Sequence, residues 1–180
     1  MDKINVNISA LKTKWQPKEM LALKGLANSV IHKTWELLLK EKKLSIFKKK
    51  IIFIDVVLTN DQNMIKYNFR FRGKKLATNV ISLQFYTKAD FNNQLEQLSL
   101  GSIIISLETL LQEALQQNMT KENHFIRLLV HGLLHLLGYD HLNNKDSTIM
   151  YNLENKILQN LNINETSIVK NYWGEQKNNA

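Results

Sequence analysis

Residues 131–141 read HGLLHLLGYDH and hold three of the chain's five histidines. Four residues separate His131 from His135, so on a helix both rings stand on one face, one turn apart. The surrounding Leu and Val residues make that helix a core element, and an imidazole in a core must satisfy two ring nitrogens. One ion shared between the rings meets that demand. Gly138 supplies a left-handed helix stop after which the chain can turn back, and His141 follows three residues later to give a third ligand. Three neutral imidazoles with no fourth protein ligand leave one coordination position open, as in a catalytic zinc site and unlike a closed structural one. Such an ion lowers the pKa of a bound water to roughly 7. The donor set suits Zn2+, one per chain, with nickel, copper and cobalt as alternatives. His32 and His124 fall outside the pattern and read as ordinary histidines with no ligand role.

The spacing H-x-x-x-H-x-x-G-x-x-H also belongs to the metzincin proteases, whose motif carries Glu after the first histidine as general base. Here that position is Gly132. A peptidase of that mechanism would lack the group that deprotonates its water. Glycine inside a helix costs about 1 kcal/mol relative to alanine, so its presence implies a need for space, with a neighbouring backbone or a substrate packed against the helix. The metal site is kept and the protease base is absent, which directs attention to another substrate class.

Around this motif the chain reads as one mixed α/β domain. INVNIS (4–9) alternates apolar and polar residues and predicts a half-buried strand. Pro17 opens a helix that reaches about Lys40, with Met20, Leu21, Leu23, Leu26, Val30, Trp35 and Leu38 at near-helical spacing. KKLSIFKKK (42–50) is a basic connector, and IIFIDVVLT (51–59) a buried strand. A short helix over 61–70, a polar loop over 72–79, a strand over 80–86, an exposed loop over 87–99 and a strand over 101–106 follow. Ser106 caps a predicted helix over 107–118, and Thr120 caps the histidine helix over 121–137. A last helix runs from about Asp146 to Leu161 with Met150, Leu153, Ile157 and Leu161 as its apolar stripe. The expected architecture is α+β: a small, about four-stranded mixed sheet packed with helices, one of them a zincin-like metal-binding helix. Residues 1–162 form a single metallohydrolase domain and 163–180 a polar C-terminal tail.

Charge is unevenly placed. Residues 1–80 hold 17 Lys/Arg against 6 Asp/Glu, whereas residues 81–180 hold 7 against 10. The basic half suggests either a polyanion partner or lysines scattered for solubility. Lys42, Lys43, Lys48, Lys49 and Lys50 form the densest basic stretch, suited to tracking an RNA backbone with salt-sensitive affinity. The aromatic residues show no interleaved base-stacking pattern. The absence of cysteine removes disulfides and thiolate-bound metals and suits a reducing cytoplasm. The N-terminal residues show no signal-peptide core, and no run of about 18 apolar residues occurs, so no membrane span is expected.

HGLLHLLGYDH resembles the HGxLHLxGYDH signature of the YbeY family of metal-dependent single-strand endoribonucleases. NFRFRGKKLATNVIS (68–82) is similar to that family's N-x-x-Y/F-R-G-K segment with its following T-x-V-x-S. LGSIIIS (100–106) resembles its L-G-D strand, and Met150 and Glu154 match its M-x-x-x-E. The resemblance covers roughly residues 50–160. It implies a cytoplasmic zinc-dependent hydrolase acting in 16S rRNA 3′-end maturation and 70S ribosome quality control. It also implies rRNA, the small ribosomal subunit and assembly factors as partners. The metal ligands carry over to His131, His135 and His141, and the family's arginine to Arg72, as a clamp on the scissile phosphate. Lys74 and Lys75, with Lys48, Lys49 and Lys50, are read as contacts to flanking phosphates or as solvated lysines. Asp140 is placed near the cluster in an orienting or turn role, and Thr78 and Ser82 as support for the segment that carries Arg72. Ser102 stands where the family often has Asp, Lys75 replaces a common Asp and Leu83 a common Phe. Ser102 thus removes a carboxylate expected near the site. Two other readings remain: a metallopeptidase of metzincin-like geometry, and a non-catalytic, zinc-stabilised ribosome-assembly factor.

Overall fold

The computed structural model describes residues 4–11, 15–41, 43, 44, 47, 50–87, 90 and 96–163. In chain order the elements are β1 (Ile4–Ala10), α1 (Pro17–Lys40), β2 (Ile51–Thr59), α2 (Asp61–Arg72), β3 (Val80–Gln84), β4 (Gln97–Ser106), α3 (Leu107–Gln116), α4 (Lys121–Leu136) and α5 (Asn144–Asn160). The four strands form one mixed sheet in the order β1-β2-β4-β3. β1, β2 and β4 run parallel, and β3 joins the edge antiparallel to β4. The α+β class and the small four-stranded sheet are as the sequence predicts.

The main core lies on one face of the sheet. Ile52, Ile54, Val56 and Leu58 of β2 meet Met20, Leu23, Ala27, Val30, Ile31 and Trp35 of α1 there, with Phe125, Leu129 and Leu133 of α4 and Leu153 and Ile157 of α5. Leu21 stands off the buried stripe of α1 and is exposed. Among the described residues the opposite face carries α2, through a small cluster of Met64, Ile81 and Ile104. A small sheet with one heavily covered face needs its strands in one phase, because a slip of one residue turns every side chain over.

β4 changes phase on purpose. Phe53 of β2 pairs with Ser99, but Ile54 pairs with Gly101, so Leu100 is an extra residue. Before this bulge Leu98 and Leu100 face the main core; after it Ile103, Ile105 and Leu107 do. A straight ladder would turn Ser102 and Ser106 inward instead. Each fully buried isoleucine contributes about 1.5–3 kcal/mol, which outweighs the roughly 1 kcal/mol of a disturbed ladder hydrogen bond. Gly101 makes the bulge possible. Its φ is +134°, and a Cβ there would lie 1.9 Å from the Leu83 carbonyl oxygen.

Several boundaries differ from the sequence reading. β4 begins at Gln97, inside the expected loop, because residues 97–99 extend the pairing to β2. β3 ends at Gln84, two residues early. α5 starts at Asn144, capped by the Asn143 side chain, which accepts from the Asp146 amide at 2.9 Å. Ser106 occupies the N-cap position of α3 but does not cap it; its hydroxyl donates to the Asp61 carboxylate on the α2 face. Ile163 is buried, and 164–180, the rest of the expected tail, lie outside the described residues.

Gly101→Ala is expected to destabilise the fold by about 2–3 kcal/mol through strain and collision with Leu83. Urea unfolding checks this, and a midpoint equal to wild type would refute the account of the bulge.

Candidate metal centre

α4 begins at a side-chain cap, with Thr120 Oγ1 accepting from the Asn123 amide at 3.1 Å. From His124 to Leu136 every residue is buried except His131 and His135. Beyond its first turn the helix is therefore packed all round, and among the described residues it opens to solvent there only along the stripe that carries the two rings. It ends in a Schellman motif: the Gly138 amide donates to the His135 carbonyl and the Tyr139 amide to the Leu134 carbonyl, both at 3.0 Å. Gly138 has φ +87°, the left-handed conformation this stop requires. Asp140 then accepts from the His141 amide at 2.7 Å and fixes the turn that returns His141 to the helix.

One candidate ligand atom from each of His131, His135 and His141 lies within 4.8 Å of the others, the only such group among the described residues. Ring centroids are 4.5 Å apart for His131 and His135, 5.1 Å for His135 and His141 and 5.7 Å for His131 and His141. The Nε2 atoms of His131 and His135 are 3.0 Å apart. Nitrogens around one tetrahedral zinc stand roughly 3.3 Å apart, so the set is on the scale of a single ion.

The back of His131 is held by a residue the sequence reading quoted without a role. Glu154 of α5 is 4% exposed, and its Oε2 lies 3.2 Å from His131 Nδ1. A carboxylate only accepts, so Nδ1 carries the hydrogen and Nε2 presents its lone pair to the cluster. The four-residue spacing of Met150 and Glu154 was the available signal: Met150 is buried on the apolar stripe, and Glu154 is a charge on the same face. Burial and the neighbouring rings of His131 and His141 lower the pKa of His135 to about 4, with Asp140 opposing. Burial and His131 likewise lower that of His141. The His135 ring therefore stays neutral well below the usual range, as a ligand must.

Gly132 has a different reason from the two expected of it. A Cβ there would lie 2.8 Å from Ile103 Cγ2 and 3.1 Å from Ser82 Oγ. The space is taken by side chains of β4 and β3, not by a backbone or a substrate. The Ser82 hydroxyl also donates to the Gly132 carbonyl at 3.1 Å. Any side chain at 132 would point into the sheet, so this position has no room for a protease-like glutamate.

Ser102 is likewise not where the sequence reading put it. Strand alternation places it with Ile104 on the α2 face, opposite Ile103 and α4. Arg72 ends α2 and is exposed; among the described residues no hydrogen bond or ion pair joins it to the histidines. Lys74 and Lys75 are exposed in the following turn, Lys50 and Thr78 are half-buried, and Lys48 and Lys49 lie outside the described residues. His124 is buried and bonds Glu113 at 2.7 Å, and His32 bonds the Asn28 carbonyl at 2.8 Å, both away from the cluster.

A mixed four-stranded sheet that supports a buried helix with three convergent imidazoles defines an α+β protein with a candidate open metal centre. The sequence model of the family described as Endoribonuclease YbeY matches residues 16–162, and the chain belongs to that family. It is 33% identical to the endoribonuclease YbeY of Agrobacterium fabrum over 92% of this chain and 95% of that one. It is 36% identical to that of Buchnera aphidicola subsp. Acyrthosiphon pisum, over 73% of this chain and 82% of the relative. A Thermotoga maritima protein solved in solution shares the fold, with a TM-score of 0.56 and 20% identity over 97% of this chain and 93% of its own.

The lowered pKa of His135 sets a pH dependence for the metal-free protein. Above about pH 6.5 the ring is neutral in both folded and unfolded chains. As pH falls toward 4 only the unfolded chain takes up the proton, so stability is lost across that window. Urea midpoints between pH 7.5 and 4.5 should fall less steeply for His135→Gln than for wild type; parallel slopes would contradict the assignment.

Proposed function

We propose that this chain is a zinc-dependent endoribonuclease specific for single-stranded RNA, acting in 16S rRNA 3′-end maturation and 70S ribosome quality control. Membership of the endoribonuclease family carries the reaction class, hydrolysis of RNA. The observation that supports a metal-dependent reaction is the convergence of His131, His135 and His141 on the one open stripe of an otherwise buried helix. The donor set fits zinc: three neutral nitrogens, no thiolate, and a carboxylate fixing one tautomer from behind. When bound, the ion supplies a Lewis acid that makes hydroxide available near neutral pH.

The chain's own groups do the rest. Glu154 keeps His131 in its ligand tautomer, and Asp140 holds the turn of His141. Ser82 anchors the helix backbone beside the ligands. Arg72 offers a bidentate fork to the non-bridging oxygens of the scissile phosphate and stabilises their growing charge. Lys74 and Lys75, with Lys48, Lys49 and Lys50 of the basic connector, position flanking phosphates. Thr78 supports the segment between Arg72 and β3. The partners in this reading are rRNA, the small subunit and its assembly factors, and the compartment is the cytoplasm; no helix among the described residues is long and apolar enough to cross a membrane. The metallohydrolase domain spans 1–162, followed by the tail 163–180.

Metal analysis joined to mapping of 16S 3′ ends in cells tests this reading. Wild type should carry one zinc per chain. His135→Ala should lose it and leave 3′-extended 16S precursors. Arg72→Ala should keep the metal and lose cleavage of single-stranded RNA about 100-fold or more; full activity in a clean preparation would remove Arg72 from the mechanism. Normal 16S ends in cells whose protein holds no metal would favour a structural role for the ion. Separately, Glu154→Gln should weaken zinc affinity about 10- to 100-fold, read by competition with a chromogenic chelator, and unchanged affinity would leave Glu154 outside the metal centre.

A further inference from the structure

FIRLLV (125–130), the run of α4 just before the first candidate ligand, is apolar but for one charge. That residue, Arg127, is only 8% exposed. Arginine is seldom buried so far without a carboxylate beside it. Among the described residues none stands within ion-pair distance of Arg127. Glu113, which meets His124 three residues earlier, is taken by that ring and by two bonds from Asn79. The guanidinium bonds only the Met119 sulfur, from Nη1 at 3.2 Å. A thioether is a weak acceptor with no charge to offer. The other guanidinium nitrogens still touch solvent, for none of them is a sealed polar atom without a partner.

This charge stands in line with the metal centre. Arg127, His131 and His135 follow one another at four-residue steps on α4. Each step turns about 40° round the helix and rises about 6 Å along it, so the three form one row. Helical side chains lean toward the N-terminus, and Arg127 does so, reaching Met119 in the turn between α3 and α4. Its guanidinium therefore lies beyond His131, on the side away from His135. The segment that carries Arg72, Lys74 and Lys75 ends at Asn79, and Glu113 ties Asn79 to His124. That basic segment thus joins the same half of α4 as Arg127. A mostly covered charge with no counter-charge costs stability, and a cost of that kind marks a functional position.

We infer that Arg127 is a substrate-binding residue that takes an RNA phosphate flanking the scissile one, on the far side of His131 from His135. This rests on the proposed endoribonuclease function and extends it. In that reading Arg72 meets the scissile phosphate, so the two guanidinium groups hold different phosphates. One turn of α4 separates Arg127 from His131, a rise comparable with the step between neighbouring phosphates of an extended strand. A guanidinium fork suits phosphate oxygens and gives the covered charge its missing partner. The contact lies away from the reacting bond and is equal in ground and transition states. It therefore acts on KM and leaves kcat alone. The row shared with the metal ligands favours RNA over a protein carboxylate, because the reaction itself lays a chain of phosphates along it.

The test uses the zinc-loaded full chain and single-stranded RNA oligonucleotides. Arg127→Met keeps the reach of the side chain and removes its charge. Its KM should rise roughly 10-fold with kcat near wild type. The slope of log kcat/KM against log salt should lose about 0.7. Its melting temperature should equal or exceed that of wild type, because a covered, unpaired charge is gone. Arg127→Lys should regain part of the lost affinity. A neutral methylphosphonate is then placed at one linkage at a time. At one linkage beside the scissile bond, wild type and Arg127→Met should show the same KM. An unchanged KM in Arg127→Met, or a loss that persists at every linkage, overturns the inference and leaves the endoribonuclease reading standing. So does a melting temperature far below wild type, which would make the guanidinium part of the fold. Unchanged RNA kinetics joined to lost binding of a ribosomal protein would assign Arg127 to a protein carboxylate instead. Wild type that neither binds nor cleaves RNA would sink the ribonuclease reading itself, and this inference with it.

Discussion

A helix can lie close against a sheet only where its side chains leave room, and α4 finds that room at Gly132. Ile103 of β4 fills the notch and Ser82 of β3 bonds the carbonyl beside it. The arrangement depends in turn on Leu100, because without the extra residue Ile103 would face α2. One inserted residue in β4 and one missing side chain in α4 are thus two halves of a single fit. The fit fixes the rotation of α4 about its own axis, and the rotation decides that His131 and His135 point outward.

Charged groups are buried sparingly, and the buried carboxylate has an imidazole partner. Glu154 meets His131, and half-buried Glu113 meets buried His124 while also accepting two bonds from Asn79. The second network ties α3 and α4 to the start of β3, the strand that carries Ser82. A buried carboxylate without such partners would cost several kcal/mol, so each pair also fixes how its two elements sit. The two networks brace α4 near its first turn and in its last turns.

Much of the centre was legible because it is local. The helical spacing of His131 and His135, the glycine stop and His141 lie in one short stretch, and local geometry nearly determines where they go. β2 was legible from its unbroken β-branched run. What escaped depended on partners distant in sequence. The phase change at Leu100 exists only relative to β2, and it is what moves Ser102 to the far face. Ser106 looked like a helix cap until Asp61, 45 residues earlier, took its hydroxyl. The contact of Glu154 with His131 required knowing that α5 crosses behind that ring.

All three candidate metal ligands come from an eleven-residue span that backbone hydrogen bonds already shape. Linking residues so near in sequence removes little freedom from the unfolded chain. An ion that instead joined α4 to a distant strand would hold the fold shut as a cross-link does. Here the ion would arrive on a scaffold that needs no closure, and could leave it without taking the architecture along. On such a scaffold, metal loading would follow the supply of the ion, as an adjustable property of a finished protein.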